Sequence, residues 1–81
     1  MKNKLRLNQL GANRTELTYR NSVGEDITVF FSYETPVAGY DHKGAFRTDT
    51  KYSRTTSKHI NGYVGPSART VSQAYIEGLV A

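Results

Sequence analysis

The chain has no cysteine and no tryptophan, and only two prolines and one methionine among its 81 residues. Without cysteine there are no disulfides, no thiolate nucleophile and no Cys-containing zinc site, and the composition suits a reducing cytoplasm. Long apolar runs are lacking as well, since none approaches the roughly 20 residues that a membrane-spanning helix needs. The opening MKNKLRLNQLG is basic but has no apolar core or small-residue cleavage site, so no signal peptide is expected. His42 and His59 stand 17 residues apart with no ligand spacing around them, which predicts no metal site and no cofactor. Walker, GxSxG, HExxH and GxGxxG signatures are all absent. His59 with Asp41 or Asp49 offers a formal base and acid, but a histidine beside Ile60 on a helix reads as a half-buried structural residue. No catalytic residue is expected.

What is present is an aromatic, basic and small protein. The chain is long enough for one domain, residues 1–81, with a small core. Domains of this size are marginally stable, so oligomerisation or a partner would add to stability. Six tyrosines and three phenylalanines supply much of the large apolar surface. The net charge is +4, and it is unevenly spread. Between Lys43 and Lys58 lie five cations (Lys43, Arg47, Lys51, Arg54, Lys58) and one acid, Asp49, a local excess equal to that of the whole chain. Lys2, Lys4 and Arg6 form a second basic group. Such patches are solvated faces or the footprint of nucleic acid.

Alternating polar and apolar residues predict strands at about 4–10, 14–20, 26–34 and 45–52, with Thr15 to Tyr33 an antiparallel hairpin. Within the third, Ile27, Val29, Phe31 and Tyr33 share a face and Phe30 interrupts the polar one. Pro36 should end that ladder or force it to an edge, leaving a loop or wide hairpin around Asp41 to Gly44. The spacing of Lys43, Arg47, Lys51, Arg54 and Lys58 also suits a cationic helical stripe, but Gly44, Thr48, Asp49 and Thr50 favour the strand. After Tyr52 the period changes. Ser53, Thr55 and Thr56 are N-cap residues, Ile60, Tyr63 and Val64 recur at helical spacing, and Asn61-Gly62 supplies a stop. Thr70 and Gln73 form a capping-box pattern before an apolar face of Val71, Ala74, Tyr75, Gly78 and Leu79, with Ala74 and Gly78 allowing close packing on the sheet. The expected fold is α+β, an antiparallel sheet of three or four strands followed by two short helices at about 54–61 and 70–80.

The junction KYSRTTSKHI, Lys51 to Ile60, holds three cations, a histidine and four Ser or Thr residues with no acid. Capping accounts for one or two hydroxyls. The rest, with Arg54 and Lys58 at a helix start, either suit phosphate or only cap and solvate the helix. Tyr40, Phe46, Tyr52 and Tyr63 lie in the same segment, and exposed rings on a basic surface grip single strands by stacking. Most of these rings are needed for the core, and at most two are to spare. The expected nucleic-acid contacts are Lys43, Arg47, Lys51, Tyr52, Arg54, Thr55, Thr56 and Lys58.

FSYETPVAGY, YSRTTSKHINGYV and VSQAYIEGLV together resemble a family of small, uncharacterised phage and prophage proteins, over about Ile27 to Val80. The residues that carry the likeness include Tyr33, Thr35, Pro36, Ser53, His59, Ile60 and Asn61. Tyr63, Gly62 and Ser72 depart from the family pattern. The resemblance implies an accessory protein in the host cytoplasm and no activity for any residue. The expected function is therefore non-enzymatic: contact with DNA or RNA through backbone and stacking, or docking on a host enzyme or phage complex. No membrane is involved in either.

Overall fold

The computed structural model describes residues 5–80. Five strands run as an antiparallel meander: β1 (Leu5–Gly11), β2 (Arg14–Arg20), β3 (Asp26–Ser32), β4 (Thr35–Asp41) and β5 (Gly44–Thr48). Helix α1 (Arg54–Tyr63) then crosses over to β6 (Arg69–Val71), which pairs parallel with β5, and α2 (Gln73–Val80) follows. The sheet order is β1-β2-β3-β4-β5-β6. A parallel pair demands such a crossover, and a helix supplies it.

One helix covers each face of the sheet. Adjacent strand residues point to opposite faces. Val29 therefore joins Ile27, Phe46 and Ile76 of α2, whereas Phe30 joins Val37, Ala38 and Ile60 of α1. That explains why Phe30 broke the expected polar face of β3: this central strand has no solvent side. The apolar residues Ile60 and Tyr63 of α1, with Val64 at its C-cap, lie on the sheet as their spacing predicts.

The α+β class holds, but the sheet is mixed and has six strands rather than three or four. One missed strand is β4, written with proline, alanine and glycine, which strands disfavour. Pro36 does not end the ladder. It pairs with Phe31 beside a bulge, since Phe30 pairs with Ala38 and Val37 is the extra residue, and the first β4–β5 pair is Ala38 with Arg47. The missing N–H thus falls where β5 has already ended. Gly39 is required there, because a Cβ would meet the Thr28 carbonyl oxygen and come within 2.7 Å of the Phe46 ring. The expected loop at Asp41 to Gly44 is a tight turn of two residues, His42 and Lys43.

The strand expected at 26–34 ends at Ser32, because Tyr33 turns to a positive φ of +59°, and three further boundaries differ. The expected strand to 52 stops at Thr48, where the Thr50 N–H turns back onto Thr48 Oγ1 at 3.0 Å. Asn61-Gly62 does not stop α1. The helix runs to Tyr63, and Gly65, at φ +77°, takes the left-handed conformation instead. The expected helix at 70–80 is a strand followed by a shorter helix, because Ser72 and not Thr70 receives the first-turn N–H, from Tyr75 at 3.1 Å. Its buried face is Ile76 with Leu79 and Val80, and Ala74 and Gly78 are exposed. Lys2 and Lys4 lie outside the described residues. No described helix is long and apolar enough to cross a membrane.

Candidate nucleic-acid interface

The junction before α1 divides its hydroxyls among separate tasks. Ser53 is the N-cap, extended at φ −84° and ψ 167°, and its Oγ accepts the Thr56 N–H at 3.1 Å. Thr56 is buried, and its Oγ1 accepts from Ser53 Oγ at 3.2 Å and from Ser32 Oγ at 3.1 Å. Ser32 is buried as well and meets His59 Nδ1 at 2.8 Å. Since Ser32 donates to Thr56, its oxygen takes the His59 Nδ1–H, and Nε2 is left without a protein partner among the described residues. Neither Asp41 nor Asp49 pairs with His59. Thr55 remains exposed.

The segment around Ser32 and Tyr33 and the segment Ser53 to Asn61 thus meet at one place. Tyr33, in the β3–β4 turn, has a φ of +59°, which a tyrosine rarely adopts. Its N–H donates to the Asn13 carbonyl at 2.7 Å, and its ring lies 5.9 Å from the His59 ring. Thr35 lies outside this junction, on the rim of a groove with Gln9, Asn13, Thr15, Tyr33 and Glu34. Pro36 serves the opposite face, where its carbonyl accepts from Gln73 Nε2 at 2.7 Å.

The expected contacts separate into two groups. Lys51, Tyr52, Arg54, Thr55 and Lys58 are exposed at the start of α1. Arg47 is not free: its Nη1 donates to Asn61 Oδ1 at 2.9 Å and to the Gly65 carbonyl at 3.3 Å, fastening the far end of α1 to the sheet. Lys43 sits in the β4–β5 turn at that same far end. Thr56 is buried and works inside the fold. Of the four rings in the Tyr40–Tyr63 segment, Tyr40 and Tyr52 stay outside, at 41% and 39% exposure, whereas Phe46 is fully buried.

Arg14 is a residue that no sequence pattern picks out. It stands at the start of β2 and, with Lys58, His59, Leu10, Phe30, Gly62 and Tyr63, lines a groove of about 390 Å³ between α1 and the β1–β2 hairpin. Nothing local marks it, because its proximity to α1 depends on the register of two hairpins. Among the described residues no carboxylate lines the groove. Beneath it Tyr63 stacks on Phe30 at 4.2 Å and donates its hydroxyl to Glu16 Oε2 at 2.8 Å. Burial, with the Glu16 bond and charge beside it, pushes the Tyr63 phenol well above its ordinary range. That ring is an uncharged wall at any physiological pH. Among the described residues no group of acids and histidines could hold a metal ion.

A family of unknown function, DUF8033, matches residues 5–78. The chain belongs to DUF8033. No curated protein and no solved structure matches it. The DUF8033 match runs from β1 into α2 and so takes in the whole groove, with Arg14 as well as Lys58 and His59.

Proposed function

We propose that this DUF8033 chain is a non-enzymatic phage accessory protein whose α1 side contacts nucleic acid through backbone and stacking. The observation that carries the reading is the groove that joins Arg14, Lys58 and His59 to apolar and aromatic walls, with no carboxylate among the described residues that line it. The start of α1 supports it. First turns favour acids, which complement the partial positive charge of the helix end. Here the first turn has none and begins with Arg54, an arrangement that an incoming anion relieves. The likeness of Ser32–Ala38 and Ser53–Asn61 to small phage proteins supports phage origin and the host cytoplasm. A non-catalytic role is supported by Ser32, the partner of His59 Nδ1 and itself buried at 1% exposure. The test is an anisotropy titration with labelled DNA and RNA at stepped salt. Affinity should fall steeply as salt rises, and a lack of binding at low salt removes the reading.

A second reading, docking on a host enzyme or phage complex, draws support from β1. Among the described residues this strand ends the sheet and its outer edge is unpaired, and Leu7 on it is 69% exposed with no charge on its face of the strand. An extended segment of a partner protein could add there as a further strand. Co-purification from nuclease-treated host lysate separates the readings, since a protein partner survives the treatment and a nucleic-acid bridge does not.

A further inference from the structure

We infer that the groove between α1 and the β1–β2 hairpin seats one unpaired nucleotide, so that the protein takes single strands in preference to duplex. The inference rests on the nucleic-acid reading and gives it a substrate class. Three features of the groove argue for it.

The first is where the charge stands. Arg14 and Lys58 come from different elements and both line the same recess. A duplex presents its phosphates to protruding side chains, and a convex basic helix would satisfy it without any recess. The second is the chemistry of the walls. Leu10 is 42% exposed, and with the half-buried Tyr63 ring, backed by the buried Phe30, it offers apolar surface between the cations. Apolar surface gains nothing from a phosphate but does gain from a base, whose faces are exposed only when it is unpaired and unstacked. The His59 Nε2, without a protein partner among the described residues, adds an acceptor for an N–H donor on a base edge. The third is size. At about 390 Å³ the recess lies at the small end of ligand pockets.

Gly62 makes the inference testable. It lines the groove from inside α1, where glycine is a poor helix residue, and a Cβ there would meet nothing within 4 Å. The Gly62→Glu variant therefore puts a carboxylate into the recess without a backbone clash, and Gly62→Ala serves as the control for helix effects. The probe is a fluorescein-labelled oligothymidylate of about ten nucleotides, free and annealed to its complement, titrated with the full chain. The single strand should bind about tenfold or more tighter than the duplex, as stacking of one base permits. Gly62→Glu should remove most of that advantage and change duplex binding by about twofold or less, as expected for one added charge outside the duplex path. Gly62→Ala, which adds a methyl and no charge, should keep more of the single-strand advantage than Gly62→Glu does, and unchanged circular dichroism of both variants shows that they fold. Equal affinity for the two forms, or an equal loss for both in Gly62→Glu, overturns the inference and leaves the nucleic-acid reading standing. No binding of either form at low salt removes both.

Discussion

Asp41 is the most heavily used acid in the described part of the chain. Its side chain is 2% exposed, its Oδ2 accepts from Arg69 Nη2 at 2.8 Å and from the Tyr75 hydroxyl at 2.9 Å, and its Oδ1 accepts the Lys43 N–H at 2.9 Å. Burial works against the charge, but these donors and the Arg69 charge outweigh it and hold the carboxyl below its ordinary range. The same bond, with burial, raises the Tyr75 phenol. A folded value below the unfolded one means that Asp41 stabilises the fold above about pH 4, and that this contribution is lost as pH falls through the folded value. Asp41→Asn should therefore cost about 2 kcal/mol at pH 7, the scale of hydrogen bonds to a charged group, and should flatten the acid limb of stability. Thermal melts from neutral pH to about pH 3 check both parts, and a variant that melts like the wild type across that range would refute the role. Little of this was legible in the sequence. Asp41 reads as a turn residue, and so it is, but its pairing with Arg69, 28 residues on, exists only because β6 returns parallel to β5. The hydroxyls of Lys51 to Ile60 were visible as a group, yet their division into a cap, a buried link and an exposed threonine depends on Ser32 arriving from β3.

At the scale of elements, what could be read from the sequence depended on how many faces an element buries and on its length. β2 and β3 announce themselves by alternation and β-branched residues, and α1 by its cap and the spacing of Ile60, Tyr63 and Val64. β4 does not, because it is covered on both faces and passes a bulge, and its residues suit close approach rather than strand preference. β6, with three residues, is too short for any periodicity to show. Two glycines turn this contrast into a prediction. Gly39→Ala, in the sheet, forces a methyl against the Thr28 carbonyl and the Phe46 ring, and should cost about 3 kcal/mol, at the upper end for overpacking. Gly62→Ala, in α1, adds a methyl in open space and should gain about 0.5–1 kcal/mol from helix propensity. Urea denaturation midpoints of the two variants should move in opposite directions. A Gly39→Ala protein as stable as wild type would mean that β4 does not lie this close to β3.

For the whole molecule, the consequence lies in how the fold redistributes a charge excess that is contiguous in sequence. The five cations from Lys43 to Lys58 read as one patch, and the fold breaks it up. Lys43 goes to the β4–β5 turn, Arg47 is held by Asn61 and Gly65, and only Lys51, Arg54 and Lys58 stay exposed before and along the first half of α1, with Arg14 from β2 beside Lys58 in the groove. A patch defined by sequence and one defined by the fold make different predictions for nucleic-acid binding. Each phosphate that a cation no longer neutralises lowers the slope of log affinity against log salt by about one. Replacing Lys51, Arg54 and Lys58 together by Gln should therefore lower the slope by about two to three, and Arg14→Gln should lower it by about one. Lys43→Gln should leave it unchanged. Arg47→Gln should leave the slope alone and reduce thermal stability instead, by about 1 kcal/mol for its bonds to Asn61 and Gly65. A slope that falls equally for Lys43 and Lys58 would show that binding follows net charge rather than a defined surface, and the interface at the start of α1 would lose its case.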